Sequence, residues 1–580
     1  MPLGLPEISS SAAEIIYEVK LGGETLPAEF GLLSLVVEKT VNKIASAHLV
    51  VQDDDTGDEP YALSNKDNTK PGTEVEITAG YDDQSEIIFK GIIVSQRMKI
   101  NNRRSVMILE CKDKSVKMTM IKKSAYYYEM KDSDIWEQLI GEAGLTADVE
   151  ASTVMHKEMV QYHSTNWDFM LSRAEANGMM VITNDDTVKI MKPPASGTPA
   201  LTIRYGENVF EFDADMDART QLKNIEVSGW DASTQEIVVE ESAEPSIVSN
   251  GDVSGEALSA AVTDEAYTIK HSGKIDTDEL KSFADAKLTK SRLAKMRGRV
   301  KILGDNKVTP GDVVALDGFG DRFNGNVIVT AIRHELSKGN WLTDIQFGLS
   351  PKWYVTENEV TDTPAADMLP AMPGLQIGVV TALENDPDGE NRIKVKIPVI
   401  SVDEEGIWTR QATTDAGDTR GWVIRPEIGD EVIVAFINND PRDAVVLGAL
   451  HSSKNVAPIE AKDDNHEKGW VTRSGIKILI NDDKKTVEIS TPAGNKLLMD
   501  EDAQTVTITD QHKNQVEMSS GGIKIESAKD ITLKATGDIK MEGVNIESKA
   551  SAAFKAEGSA SAELKSSANT TVKGSMVMIN

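Results

Sequence analysis

The 580-residue sequence contains a single cysteine, Cys111, and no long apolar run. One cysteine excludes an intrachain disulfide and a multi-cysteine zinc site, and its alternation with Leu109 predicts a small core residue. The longest apolar stretches, such as residues 30–37, fall far short of the roughly 20 residues that a membrane-spanning helix needs. The first ten residues lack a basic region followed by an apolar run, so no secretory signal is predicted. These absences predict assembly in the cytoplasm.

Motifs that would carry chemistry are also missing. The eight histidines are scattered, and none forms an H-E-x-x-H or H-x-H pair; His334, in an H-E-L sequence, is expected near a strand end. The stretch GFGDRF (318–323) lacks the last glycine and the helix of a phosphate loop, which favours a hairpin turn. The stretch NDPDGEN (385–391) alternates acidic residues as calcium ligands would, but most of a calcium loop is absent, so a hairpin turn is again favoured. We therefore predict no catalytic residue, no cofactor and no metal site.

Positive charge is in deficit, with 62 Lys and Arg against 93 Asp and Glu and a formal net charge of −31. Such acidity argues against nucleic acid or an anionic membrane as the main partner. The deficit is uneven, because residues 461–580 carry 16 basic and 18 acidic side chains, a net of −2. This nearly neutral tail favours close association between copies of the chain.

What the sequence does have is alternation of apolar and polar residues with a period of two, which predicts a mainly β protein. Residues 13–120 read as strands separated by turn residues. Three helices interrupt the pattern: Ser133 is expected to cap the first, Thr165 the second, and the third spans 276–296, before another strand group. A proline-containing linker then precedes a compact strand set at 375–452.

The tail raises a question about its own core. In residues 522–550, apolar pairs begin every eight residues, at Ile523, Ile531 and Ile539, and the series resumes at Phe554. This ribbon lacks the long connections that would fold one sheet over another. Its apolar face therefore needs a cover that the segment does not supply.

Residues 377–453 closely resemble the oligonucleotide/oligosaccharide-binding (OB) barrel of VgrG spike proteins. The shared features are a D-P-D-G turn before an R-x-K-V-x-P strand, the sequence RGWVIRPEIGDEVIVAF (420–436), and a turn before V-V-L-G in which Asn439-Asp440 replaces the usual Gly-Asp. Residues 160–179 are similar to the family's Q-Y-x-x-S helix. VgrG proteins form the tip of type VI secretion systems and are related to the hub and spike of phage tails, and released phage-tail-like particles use a similar spike.

The resemblance implies an architecture of two related β-barrel hub domains with helical inserts, an OB-fold barrel, and a C-terminal triple-stranded intertwined β-helix, a trimeric prism. Two further copies of the chain would then cover the tail, with Ile523, Ile531, Ile539 and Phe554 in the trimer core. The expected boundaries are: first hub barrel, 1–125; helical and strand insert, 126–270; second hub barrel, 271–354; linker, 355–374; OB fold, 375–452; joint, 453–469; β-helix spike, 470–580.

The function implied is that of a non-enzymatic homotrimeric spike and hub, which pierces target membranes and is expelled with its particle. Implied partners are inner-tube and baseplate proteins at the hub, possible effector cargo, and a PAAR-type tip protein. The tip protein would bind the apolar end formed by Met576, Val577, Met578 and Ile579. The target membrane would be touched only transiently.

Three alternatives were weighed. A phage-type spike that cleaves cell walls would need a domain at 453–469, where 17 residues are too few. A fused C-terminal toxin is not expected, because the strand repeat continues to Asn580. A glycan-binding adhesive fibre would use the OB barrel, although an OB fold alone does not imply a ligand.

Overall fold

The computed structural model describes residues 14–53, 61–82, 84–101 and 104–579. The N-terminal residues that bear on a secretory signal lie outside this part, as does Asn580. The chain divides into two compact units, one ending at Pro370 and one beginning at Ala371, and each is described by itself. No helix in the described part of the chain is long and apolar enough to cross a membrane.

The first unit opens with seven antiparallel strands whose alternating side chains close over one core. Leu35, Leu49, Ile77 and Leu109 are fully buried in it, and so is Cys111. Burial raises the pKa of the Cys111 thiol to about 12, so it is an inert core residue, as the sequence predicted. The strands are β1 (Ile15–Leu21), β2 (Glu24–Thr25), β3 (Leu32–Thr40), β4 (Ser46–Gln52), β5 (Glu74–Tyr81), β6 (Gln84–Asn101) and β7 (Arg104–Lys112).

An insert of two helices and five short strands follows. The Thr165 side chain accepts a hydrogen bond from the Asp168 backbone, which confirms it as the cap of the second helix. The prediction that Ser133 caps the first helix is wrong: the cap residue is Lys131 and the helix begins at Asp132, where the Asp134 side chain accepts a hydrogen bond from the Lys131 backbone. The elements are β8 (Lys122–Lys131), α1 (Asp132–Glu142), β9 (Thr146–Val149), β10 (Met155–Thr165), α2 (Asn166–Ala176), β11 (Met180–Asn184) and β12 (Thr187–Met191).

A small three-stranded sheet packs on the longest helix of the unit. The Asp276 side chain caps this helix, close to the predicted start. The segment comprises β13 (Leu201–Arg204), β14 (Val209–Met216), β15 (Ile225–Asp231), β16 (Glu236–Glu241), α3 (Gly255–Ala260), β17 (Tyr267–Lys270) and α4 (Thr277–Leu293). The sheet order is β16-β15-β17, and α4 covers one face of it.

The last strands of the unit are β18 (Met296–Leu303), β19 (Val313–Asp317), β20 (Gly325–Ser337) and β21 (Asn340–Phe347), followed by the short helix α5 (Tyr354–Glu357). The GFGDRF stretch joins the antiparallel pair β19 and β20, so the predicted hairpin turn is confirmed. His334 lies inside β20, buried and within 3.0 Å of the Thr343 hydroxyl, and burial lowers its pKa to about 3.

The resemblance implied two related hub barrels, and the described strands form one continuous sheet of 13 strands over two cores. The long strand β20 joins the two cores. Its first half pairs with β19 and places Val329 in the second core, whereas its last half pairs with β3 and places Leu336 in the first core. One strand of 13 residues therefore belongs to both.

The second unit begins with a small closed barrel of strand order β22-β23-β24-β28-β27 around Val380, Ile393, Val395, Val432 and Val434. The NDPDGEN stretch joins the antiparallel strands β22 and β23, which confirms the hairpin interpretation. The strands are β22 (Gln376–Ala382), β23 (Ile393–Lys396), β24 (Ile407–Gln411), β25 (Ala416–Gly417), β26 (Arg420–Gly421), β27 (Glu431–Phe436) and β28 (Ala444–Ala449).

The chain then folds into a single-layer antiparallel sheet in which each strand pairs with the next. The strands are β29 (Glu467–Val471), β30 (Lys477–Asn481), β31 (Thr486–Ser490), β32 (Lys496–Asp500), β33 (Thr505–Thr509), β34 (Gln515–Ser519) and β35 (Gly522–Glu526). Strands were also predicted around residues 531 and 539, but no strand is present at 527–579 in this single chain. A strand needs a neighbour for its backbone groups, and this segment has none within its own chain.

Candidate assembly surface

One face of the β29–β35 sheet carries two parallel rows of apolar side chains, which we call the apolar face. Because every strand has five residues and pairs in register with the next, the second and fourth residues of successive strands line up across the sheet. The first row consists of Trp470, Ile478, Ile489, Leu497, Ile508, Val516 and Ile525. The second consists of Ile480, Val487, Met499, Val506, Met518 and Ile523.

The apolar face is open in the single chain. Ile480, Ile489 and Ile508 keep 43–49% of their surface exposed, although Ile489 and Ile508 have apolar neighbours on both adjacent strands and Ile480 has one on β31. A single layer of sheet has no second layer to bury these side chains, so the residual exposure is a property of the architecture. Contiguous exposed apolar surface of this kind marks an interaction site.

The opposite face of the sheet is largely polar and charged. Lys477 is opposite Ser490, which is opposite Lys496, and Thr507 lies between Leu498 and Glu517. The ammonium of Lys496 lies 2.8 Å from the Glu488 carboxylate, and its hydrogen bond holds the pKa of Glu488 below its usual range. This side is therefore suited to water and the apolar face to a partner.

The residues predicted for the trimer core are only partly brought together. Ile523 stands at the end of the second row, beside Met518. Ile531, Ile539 and Phe554 lie beyond the sheet and are 55–69% exposed, so the single chain does not align them with Ile523. The apolar end expected to bind a tip protein, Met576 to Ile579, is also exposed.

The rows over residues 470–518 were missed as candidate functional residues. Their signal is present in the sequence: the apolar pairs begin at Ile478, Val487, Leu497, Val506 and Val516, spaced alternately by nine and ten residues. One or two extra residues per strand and turn distinguish this spacing from the eight-residue repeat after Ile523. The change from one spacing to the other lies at the end of the observed sheet.

In the acidic stretch at 385–391, the Asp386 side chain is already paired with Arg392 of the same hairpin. The Asp386 carboxylate accepts hydrogen bonds from the backbone of Asp388, Glu390 and Arg392 and from the Arg392 guanidinium, at 2.6 Å for the closest contact. These bonds, led by that from Arg392, hold the pKa of Asp386 well below its usual range. Among the residues that the structure describes, no cluster of His, Cys, Asp and Glu is arranged to hold a metal ion.

A buried charged cluster in the first unit was also missed. Asp132 accepts hydrogen bonds from Arg173 at 2.8 and 2.9 Å and from Asn177 at 2.9 Å, and lies 2.9 Å from His156; Arg173 also reaches Glu279. Burial alone would raise the pKa of Asp132, but the bonds from His156 and Arg173 outweigh it, so the pKa lies below the usual range. Both oxygens of this carboxylate are hydrogen-bonded. The cluster connects α1, β10 and α2, and Arg173 connects it to Glu279 on α4.

Two known families match the sequence. Residues 11–338 match the Alg8 N-terminal domain, and residues 376–451, which contain the closed barrel, match the type VI secretion system/phage-baseplate injector OB domain. The second match agrees with the OB resemblance drawn from the sequence.

The individual relatives that match the sequence include VgrG proteins. The type VI secretion system spike protein VgrG3 of Vibrio cholerae serotype O1 is 30% identical over 112 residues, 18% of this chain and 11% of that protein. The actin cross-linking toxin VgrG1 of Vibrio cholerae serotype O1 is 27% identical over 135 residues, 22% of this chain and 12% of that protein. The matches thus span about a tenth of the length of these relatives.

Among solved structures, a type VI secretion component of Escherichia coli, which resembles bacteriophage T4 tail proteins, aligns with a TM-score of 0.39 and 11% identity, over 74% of this chain and 99% of that one. The Alg8 N-terminal domain match covers more than half of the chain. The protein therefore belongs to the Alg8 N-terminal domain family, and its injector OB domain and its short matches to VgrG proteins support a VgrG-like spike.

Proposed function

We propose that the protein is the homotrimeric hub and spike of a contractile injection apparatus, either a type VI secretion system or a released phage-tail-like particle. The observation that carries the proposal is the apolar face, two uninterrupted rows of side chains on a sheet one layer thick. Three such sheets, placed around a threefold axis with these faces inward, form a closed prism with one common core.

The charge of the tail supports this arrangement. Residues 461–580 have a net charge of −2, against −29 for the rest of the chain, so three tails approach one another with little repulsion. Beyond Glu526, strands would form between copies, and Ile531, Ile539 and Phe554 would extend the same core. Strand pairing along the whole spike would resist bending during passage through a membrane.

The remaining partners follow from the same role. The hub would dock on inner-tube and baseplate proteins, effectors would travel with the spike, and a small PAAR-type protein would cap the apolar end at Met576 to Ile579. The task is mechanical, so the proposal assigns no catalytic residue.

The test is delivery by assembled particles. Particles would be prepared from cells that carry the full-length gene or one lacking the codons for residues 470–580. We expect full-length particles to show the protein at one end by immunogold electron microscopy and to deliver a reporter effector, and the shortened gene to abolish delivery. Full delivery by the shortened protein, or a label along the whole tube, would contradict the proposal.

A further inference from the structure

The three-stranded sheet β16-β15-β17 in the first unit has a second, uncovered face. Its inner face packs Ile225 and Val227 against α4. On the outer face, Trp230 and Ile237 are cross-strand partners, and Val239 is opposite Ser228. The three apolar side chains are 41%, 67% and 53% exposed. Together they form a small apolar patch on a regular, paired sheet.

The patch adjoins an open strand edge, because β16 is the last strand on its side of the sheet. The Ser242 N–H donates to the Ile225 carbonyl, and antiparallel pairing alternates bonded and non-bonded positions. The backbone N–H and C=O groups of Ile237, Val239 and Glu241 therefore point away from β15. No other strand of the described chain meets them.

Apart from its glutamates, the edge lacks the features that usually protect an exposed strand. Its sequence, EIVVEE, contains neither proline nor lysine, and its register with β15 shows no bulge. An edge that is regular and apolar on its outer face is a template for an added strand, and its glutamates favour a strand of opposite charge.

The charge of β16 and its neighbours indicates the chemistry of the strand that would pair with this edge. Three of the six residues of β16 are glutamates, and Glu226 lies opposite Glu241 on the neighbouring strand. The nearby ion pairs Lys223–Asp264, Lys274–Asp231 and Arg292–Glu244 include none of these glutamates. The only basic side chain on the outer face of these strands, Lys270, lies on the far side of β15. A second copy of β16 would bring glutamates against glutamates, so the charge favours a basic segment of another protein.

We propose that β16 is the docking edge for an extended segment of a partner protein in which apolar residues alternate with lysine or arginine. The segment adds as a fourth strand, with its backbone bonded to Ile237, Val239 and Glu241. Its apolar side chains would extend the patch on the outer face, and its basic side chains, on the opposite face, would meet Glu236 and Glu240, which are across from Asp231 and Val227. This site goes beyond the spike role, because it lies in the first unit and does not depend on the apolar face of the tail.

The probe is a fluorescent hexapeptide in which valine and lysine alternate, titrated with the full-length protein and followed by anisotropy. A control peptide has proline in place of the central valine, which keeps the charge but removes strand pairing. The Val239→Pro variant removes a backbone donor that faces the open edge, so the pairing of β16 with β15 is kept. Its matched control is Val239→Thr, which retains that donor and the strand propensity. Glu236→Lys tests the charge.

We expect saturable binding by the wild-type protein and by Val239→Thr. Binding should be at least tenfold weaker for Val239→Pro and for the proline peptide, and several-fold weaker for Glu236→Lys. Equal binding of both peptides by the wild-type protein would overturn the proposal without relying on any variant, and so would the absence of saturable binding. A fall in the native mass of Val239→Pro, measured by light scattering, would show instead that the edge joins copies of this chain.

Discussion

Thr507 and Ile508 are neighbours on β33 that lie on opposite faces of the tail sheet. Ile508 is in the first row of the apolar face, between Leu497 and Val516, whereas Thr507 is on the polar face. In the proposed trimer, Ile508→Asp places three carboxylates together at the axis, where an unpaired buried charge costs several kcal/mol. We expect this variant to be monomeric and Thr507→Asp to stay trimeric in size-exclusion chromatography with light scattering. Equal trimer yields would show that the two faces are assigned wrongly.

Asp132 gives a second prediction at this scale. Its pKa in the folded protein lies below the ordinary value of 3.8, so the ionised carboxylate stabilises the fold at neutral pH. That contribution is fully present above the ordinary pKa and is lost as the pH falls towards the folded one. We expect Asp132→Asn, which leaves Arg173 without its buried partner, to lower the free energy of unfolding by about 3–5 kcal/mol at pH 7.

The measurement is urea unfolding followed by tryptophan fluorescence, since Trp136 and Trp167 belong to the adjacent core. The difference between wild type and variant should shrink at pH 3, where Asp132 in the unfolded chain is mostly protonated. Ser133→Ala is the neighbouring control, because Ser133 does not cap the helix. An undiminished difference at pH 3 would exclude the carboxylate as its cause.

The sequence predicts single residues well where one local interaction decides their role. Cys111 as a core residue and Thr165 as a helix cap needed only alternation or capping chemistry, and both are confirmed. Ser133 was placed at the cap from local chemistry, but the cap residue is Lys131. The bond between Asp132 and Arg173, which are 41 residues apart in the sequence, leaves no pattern in a local window, so the buried charged cluster was not predicted.

At the scale of elements, the segment 527–579 behaves differently from the sheet before it. Residues 467–526 pair with themselves, whereas 527–579 contains no strand in the single chain. We expect slow amide hydrogen exchange in 527–579 in the wild-type protein, because strands would form there between copies. In the monomeric Ile508→Asp variant the same amides should exchange fast, while those of β22–β28 keep their protection. Fast exchange of 527–579 in a verified trimer would contradict the intertwined β-helix.

The apolar end of the chain gives a further prediction. Met576, Met578 and Ile579 are 78–90% exposed, and in a trimer three such ends meet. We expect deletion of residues 573–580 to leave the trimer intact but to abolish co-purification of the cognate PAAR-type cap protein, because the apolar platform is gone. A matched Lys573→Ala variant should retain the cap. Full occupancy of the cap on the shortened trimer would place its binding site elsewhere.

The sequence predicted whether a segment is a strand or a helix more successfully than it predicted which strands pair with one another. The period of two identified the strands of both units, yet not that β20 would pair with β3 and join two expected barrels in one sheet. The rows of the apolar face were overlooked because their spacing of nine and ten residues differs from the eight-residue repeat that follows. Alternation shows that a side chain faces a core, but not which strand or which copy completes it.

At the scale of the whole molecule, the proposed spike requires three copies of the chain to share one core. The apolar face is contiguous, it is uncovered in a single chain, and the tail that carries it is nearly neutral. The proposed role is mechanical and requires no catalytic group. The tail can act as a spike only if three copies assemble. The number of copies in the native protein therefore tests the proposed function directly.

The most direct test is the native mass of the purified full-length protein, measured by multi-angle light scattering over a range of concentrations. A homotrimer should give about three times the chain mass of 63.1 kDa, unchanged on dilution. A stable monomer of 63.1 kDa whose circular dichroism shows the full β-content would contradict it.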